Sequence, residues 1–199
     1  MYSFIFDIGG VLIDYNYKKV AEELSVKTGC EYGKVESLFG LDVLHPVETG
    51  RITPDEFFQH HVRRIMPEIS YKDWIQAYID NFPVNPYGME LLQMVKAKGR
   101  KVYILSNLAE FHKDAIEARN PGFFELCDRN FFSFELGFHK PEAEIYEAVC
   151  SGIGEKPENC VFFDDMPANV EGAIKHGILG IHFSNSRIKE IRERVVKLL

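Results

Sequence analysis

Phe4-Ile5-Phe6-Asp7-Ile8-Gly9-Gly10-Val11-Leu12-Ile13-Asp14 opens the chain with a pattern around which the other segments fall into place. An apolar run stops at an aspartate, two glycines follow at once, and a second apolar run begins. A short apolar run ended by a turn signal reads as a buried strand. In open α/β sheets, ligands sit just beyond the carboxyl ends of such strands. Asp7 would then stand in the crevice on a rigid strand, beside a glycine-softened loop. Taken alone, Asp7 also fits a residue that merely caps a turn, so the rest of the chain has to decide.

Further along, strands and helices alternate. Asn85-Pro86 opens a helix through Leu91, Leu92 and Val95, which Gly99 closes. Lys101 to Asn107 reads as a strand with a polar end, followed by a helix through Ala115 and Ile116. Phe131-Phe132-Ser133-Phe134 reads as a third strand, and Pro141 to Val149 as a helix. Cys160 to Asp165 is a strand ending in two carboxylates. A helix over Pro167–His176, a strand over Ile178–Phe183 and a helix over Lys189–Leu198 complete the pattern. Such alternation implies right-handed crossovers and an α/β fold with a doubly wound parallel sheet.

Between Tyr15 and Pro83 the texture is helical instead. Tyr17–Thr28 is a helix that Gly29 stops. Thr53-Pro54-Asp55-Glu56 has the cap, the proline and the capping-box partner of a helix start. Phe57, His61, Ile65 and Phe58 are expected on its buried face. Ser70 begins another helix carrying Trp74, Ile75, Tyr78 and Ile79. His60 and His61 are adjacent and do not share a helix face, which argues against a metal pair.

The 199 residues allow one domain with a sizeable core, or a core plus a small insertion. A net charge of -7 with no basic run argues against a general nucleic-acid binder. No stretch is apolar enough to span a bilayer, and the N-terminus lacks a signal-peptide pattern. Cys30, Cys127, Cys150 and Cys160 show no CxxC spacing and read as reduced core residues of a cytoplasmic protein.

Three strands thus end in polar groups: Asp7, Ser106-Asn107, and Asp164-Asp165. On one edge of a doubly wound sheet they can converge. Lys140 joins them from the loop before a helix. Carboxylates without Cys or His partners suit a hard cation, most simply Mg²⁺. A cation, a lysine, a hydroxyl and backbone N–H groups together meet the needs of a phosphoryl dianion, whose charge spreads over three oxygens. Asp7 then suits the nucleophile of an aspartyl-phosphate mechanism. Singly, Ser106-Asn107 reads as a turn and Lys140-Pro141 as an ordinary helix entry. Asp164-Asp165 is more telling, because two charges directly after a buried run are costly without a partner.

These segments, with Ile145-Tyr146 after Lys140-Pro141 and Met166-Pro167-Ala168-Asn169 after Asp165, resemble the haloacid dehalogenase superfamily, and within it the glucose-1-phosphatase-like branch. The resemblance implies a Rossmann-like core made of residues 1–14 and 84–199, with an α-helical cap inserted over 15–83. It implies a Mg²⁺-dependent phosphatase acting on a small phosphorylated metabolite, such as a sugar phosphate. Asp7 is the implied nucleophile, and Ser106, Asn107 and Lys140 the implied phosphate ligands. Asp7, Asp164, Asp165 and the backbone carbonyl of Gly9 are the implied metal ligands, with the choice between Asp164 and Asp165 for direct contact open. His45, Glu48 and Arg51, in a polar stretch expected to be irregular, are candidates to face the substrate, against a solvated loop as the plainer reading. Tyr15 and Asn16 stand alike.

One departure matters. Family phosphatases mostly carry an acid–base Asp two residues after the nucleophile, and here that residue is Gly9. Two alternatives follow. One is a metal-independent 2-haloacid dehalogenase, against which the Asp164-Asp165 pair argues. The other is a phosphate-binding or interaction module without turnover. Oligomeric state is left open.

Overall fold

The computed structural model describes residues 2–199. Five parallel strands form one sheet: β1 Ser3–Phe6, β2 Val102–Ser106, β3 Arg129–Phe132, β4 Cys160–Asp164 and β5 Leu179–His182, in the order β3-β2-β1-β4-β5. β1 lies at the centre, with Phe6 level with Ile104 of β2 and Phe163 of β4. The connection reverses direction between β1 and β4, which opens a crevice at their carboxyl ends.

Period-two alternation sends the strand side chains into two layers. Phe4, Phe6, Val102, Ile104, Val161 and Phe163 pack on one face, with the helices Pro86–Ala97, Glu110–Arg119 and Ile188–Val196. Ile5, Tyr103, Leu105, Phe131 and Phe162 pack on the other, with Ala143–Ile153 and Pro167–Lys175. All four β1 residues are buried. Each large apolar side chain there contributes roughly 2 kcal/mol through removal from water.

The loop after β1 is held tightly. The Ile8 carbonyl accepts from the amides of Val11, Leu12 and Ile13. Gly10 takes φ +66°, a conformation a side chain would strain. The helical segment leaves and returns at one seam. Asp14 N–H donates to the Pro83 carbonyl, Ile13 bridges Val84, and Asn85 N–H donates to the Leu12 carbonyl. Asn85 caps the next helix through Tyr87 and Gly88 N–H groups while its amide donates to Asp14 and Asn185. Between Tyr17 and Asn81 the ordered elements are all helical. Aromatic side chains from this segment (Tyr17, Trp74, Tyr78) meet Phe82, Phe111 and His112, so segment and sheet share one apolar core.

Several expectations need correction. Ser133 and Phe134 are not strand: β3 stops at Phe132 and Ser133–Leu136 is a short helix. Ser133 Oγ, which accepts from Leu108 N–H and donates to the Glu48 carbonyl, anchors that turn. Pro141 lies in a turn closed by Glu142 N–H to the His139 carbonyl, and the helix starts at Ala143. The helix after Thr53 has its capping box but passes into a π-helical stretch over Phe58–Val62. That shift buries Phe57, Phe58 and Val62 and leaves His61 and Ile65 half-buried. The stretch around His45 and Glu48 is not irregular. It is the helix Leu41–Glu48, with Pro46 inside it. Pro46 reads as a breaker in sequence, yet the chain tolerates it within this short helix. Among the described residues, no helix is long and apolar enough to cross a membrane.

Candidate active site

The carboxyl ends of β1, β2 and β4 bring Asp7, Ser106 and Asp164 to one edge of the sheet, as the parallel register requires. Asp7 and Ser106 converge with Gly9, Asn107, Lys140 and Asp165 on a cavity of about 340 Å³ that Tyr15, Tyr17 and Glu48 also line, while Asp164 is fully buried and joins the site through Lys140. Lys140 is the electrostatic centre. Its Nζ lies 2.9 Å from Asp7 Oδ1 and 2.7 Å from Asp164 Oδ2, and it donates to the Leu105 carbonyl. Burial pulls the Lys140 ammonium down, but Asp164 and Asp7 outweigh it and hold the group above its ordinary value.

Asp7 is 6% exposed and also accepts from Ile8 N–H at 2.7 Å. Burial, helped by the charges of Asp164 and Asp165 and opposed by Lys140, pushes its carboxyl up to about 7. Three carboxyls facing one ammonium are short of positive charge. Burial and Asp164 likewise raise Asp165.

The two adjacent aspartates have different surroundings. Asp164 is fully buried, and both its oxygens are engaged: Oδ1 by Met166 N–H and Asn169, Oδ2 by Lys140 and Asn169. The Asp165 carboxylate faces the cavity and receives no bond from any other described residue. It lies so close to Gly10 that a Cβ there would stand 2.3 Å from its Oδ2. Oxygens of Asp7, Asp164 and Asp165 come within 4.8 Å of one another. An all-oxygen set with one uncommitted carboxylate and a shortage of positive charge fits a hard divalent cation.

Asn107 is committed through its side chain. Its Oδ1 accepts from Lys140 N–H at 2.8 Å and its Nδ2 donates to the Lys140 carbonyl at 3.1 Å, so it clamps the loop that presents the lysine. Ser106 is buried on the cavity wall.

Of the three candidates on the helical segment, Glu48 reaches the cavity, buried and bonded to His139 Nε2 at 3.0 Å. His45 lies behind it, its ring 5.0 Å from that of His139 and 3.8 Å from Glu142. Arg51 is exposed and takes no part in the cavity lining. Tyr15 lines the cavity, whereas Asn16 caps the following helix through Lys19 N–H. The Tyr15 ring fills the space beside Gly9, with its Cδ2 3.0 Å from where a Gly9 Cβ would be. The sequence assigns no role to Tyr17, His139 or Asn169, although Asn169 stands in the stretch that carries the family resemblance. Only Asn169 carried a signal, as a polar residue in the first turn after Asp164-Asp165.

A family model described as haloacid dehalogenase-like hydrolase matches residues 3–177. The chain therefore belongs to the haloacid dehalogenase-like hydrolases. It is similar to a sesquiterpene phosphatase, astK, of Aspergillus oryzae, with 27% identity over 92% of this chain and 89% of the relative. It is also similar to a D-ribitol-5-phosphate phosphatase of Bacteroides thetaiotaomicron, with 23% identity over 84% of each chain. Among solved structures, a HAD family enzyme of Bacteroides thetaiotaomicron in complex with magnesium and inorganic phosphate superposes with TM-score 0.77 and 27% identity, covering 89% of this chain and 91% of that one.

Proposed function

We propose that this protein is a Mg²⁺-dependent phosphatase of a small phosphorylated metabolite, working through an aspartyl-phosphate on Asp7, with residues 15–83 acting as a cap over the site. The observation that carries the reading is the Asp7 carboxylate at the end of the central strand, 2.9 Å from the buried Lys140 ammonium and beside the uncommitted Asp165. The relatives named as phosphatases and the magnesium and phosphate held by the similar enzyme support it.

Asp7, Asp165 and the Gly9 carbonyl would hold the cation directly. Asp164, its oxygens already engaged by Lys140, Met166 and Asn169, would position the lysine instead. The cation would neutralise phosphoryl charge and keep Asp7 ionised. Ser106 and Lys140 would bind the phosphoryl oxygens, and Asn107 would hold the Lys140 loop in place. Asp7 attacks phosphorus as the P–O bond to the leaving group breaks, and water then cleaves the aspartyl-phosphate. The acidic cluster speaks against a metal-independent dehalogenase.

The test is release of phosphate from 4-nitrophenyl phosphate with and without Mg²⁺, by the native protein and by Asp7→Asn. Release that needs both Mg²⁺ and Asp7 is expected. Full activity in excess chelator, or near-native activity of a folded Asp7→Asn protein, overturns the reading.

A further inference from the structure

Cys150 and Cys160 stand in a spacing that no sequence motif marks, yet the fold brings them together. Cys150 sits in the last turn of the helix Ala143–Ile153, and Cys160 is the first residue of β4. The chain between them turns back sharply. Gly154 takes φ +72°, Glu155 N–H donates to the Cys150 carbonyl at 3.0 Å, and a 3₁₀ turn over Pro157–Asn159 leads into the strand. Both side chains pack in the apolar layer that holds Ile5, Ile145 and Phe162. There the two thiols hydrogen-bond to each other, and Cys160 Sγ also lies 3.5 Å from the Lys156 carbonyl. Neither lines the site cavity.

The pair is unequal. Cys150 keeps 5% exposure, whereas Cys160 is sealed. The hydrogen bond from Cys160 holds the Cys150 thiol below its ordinary value, against the effect of burial, and the same bond together with burial raises Cys160. A thiolate is the nucleophile toward oxidants, and a second thiol in contact with it resolves the first product. The other two cysteines differ. Burial pushes the Cys127 thiol up to about 12, and Cys30 Sγ is engaged by the Ile65 carbonyl at 3.2 Å.

We propose that Cys150 and Cys160 are a modification site, an oxidisable dithiol that a peroxide converts to an intramolecular disulfide. The Cys150 thiolate attacks one oxygen of hydrogen peroxide and the O–O bond breaks. The hydroxide that leaves takes the proton Cys150 gave up and becomes water, and Cys150 is left as a sulfenic acid. Cys160 then attacks the Cys150 sulfur. The S–S bond forms as the S–O bond breaks, and the hydroxyl departs with the Cys160 proton as a second water. The two sulfurs together lose two electrons and the peroxide gains them. The product ties the end of the helix Ala143–Ile153 to the start of β4. The other ends of these elements present Lys140, just before the helix, and Asp164, the last residue of β4, which pair at 2.7 Å. The disulfide thus fixes the far ends of the two elements that carry this ion pair, without entering the cavity.

The experiment exposes the native protein to hydrogen peroxide at neutral pH, alkylates the remaining thiols after denaturation, and maps the peptides by mass spectrometry. Digestion at glutamate cuts at Glu155 and Glu158, between the two cysteines. A cross-linked pair of peptides holding Cys150 and Cys160, lacking two hydrogens and separated by dithiothreitol, is expected. Cys150 should be consumed faster than Cys127 by about tenfold or more. The oxidised protein should unfold at a higher urea concentration than the reduced one, because the link restricts the unfolded chain. In Cys160→Ser, dimedone should trap a sulfenic acid on Cys150. Recovery of Cys150 and Cys160 as alkylated thiols once Cys127 is oxidised overturns the proposal, as does oxidation of Cys150 to a sulfinic acid without a cross-link. An equal or lower urea midpoint for the oxidised protein overturns the tie between helix and strand. The mapping uses the native chain alone, so it decides the matter even where Cys160→Ser does not fold.

Discussion

Acid should unfold this protein through His112. The ring is fully buried in the helix Glu110–Arg119, its centroid 4.3 Å from that of Phe111 and 5.2 Å from that of Tyr78. Its Nδ1 accepts from Ala109 N–H at 3.1 Å, and its Nε2 has no partner among the described residues. Nδ1 is therefore an acceptor in the folded state, and protonating it would break that bond and strand a charge among aromatic rings. Burial, opposed only by the field of Glu48, lowers the group from 6.5 to about 4. The folded value lies below the unfolded one, so the unfolded chain takes up the proton first. Stability is whole above pH 6.5, falls as the pH drops, and the loss is complete below about 4. At about 1.4 kcal/mol per pH unit the gap amounts to roughly 3 kcal/mol, a large share of a normal folding free energy. Urea denaturation of the native protein and of His112→Asn from pH 7.5 to 4 measures this. The variant loses packing at every pH, but its stability should fall less steeply below 6.5. The Asp7 cluster titrates in both proteins and cancels in the difference. Parallel curves across the range would rule out this role for His112, as would a His112 ring resonance that titrates near 6.5 in the folded protein.

Asp165→Asn should raise the Mg²⁺ concentration needed for half-maximal activity by about tenfold or more, and Gly10→Ala should act in the same direction by pushing Asp165 away. An unchanged Mg²⁺ requirement in folded Asp165→Asn would remove Asp165 from the metal site. Because Gly9 supplies no acid, single-turnover phosphorylation of Asp7 should be faster for aryl than for alkyl phosphates by about 10² to 10⁴. A flat dependence on leaving-group pKa, with chemistry limiting, would show that another residue supplies the proton. Gly9→Asp should narrow that gap only if the Tyr15 ring, 3.0 Å from the new Cβ, moves aside. Gly88→Ala places a Cβ 1.8 Å from the Val11 carbonyl, so it should cost about 2 kcal/mol or more in urea denaturation. An unaltered midpoint would mean that the helix Pro86–Ala97 can shift away from the loop.

The parallel α/β sheet, the polar ends of β1, β2 and β4, and the grouping of Asp7, Ser106, Lys140, Asp164 and Asp165 can be read from the amino-acid order. These were legible because they rest on local rules: apolar runs of strand length, glycine and proline punctuation, and caps such as Asn85, Thr53 and Ser70 that bond within three residues. The register of a parallel sheet then carries strand ends to one edge without further information. Where tertiary contacts overrule local signals, the sequence misled. Ser133-Phe134 has strand composition, but Ser133 is drawn into a turn by Leu108 and Glu48, which are distant in sequence. Pro46 hid the helix Leu41–Glu48 because its disruptive effect is local, while the burial of Leu44 and Val47 that sustains the helix is not.

The different surroundings of the members of that set come from tertiary contacts alone. Asp164 and Asp165 are neighbours of identical chemistry, and nothing in their order tells them apart. The end of β4 turns one inward to Lys140 and Asn169, and leaves the other facing the cavity. Glu48 likewise differs from the many other acidic residues of the helical segment only because a partner 91 positions away, His139, holds it at the site. A residue's partners across the fold set its charge and its freedom, and that information is spread over contacts between distant parts of the chain.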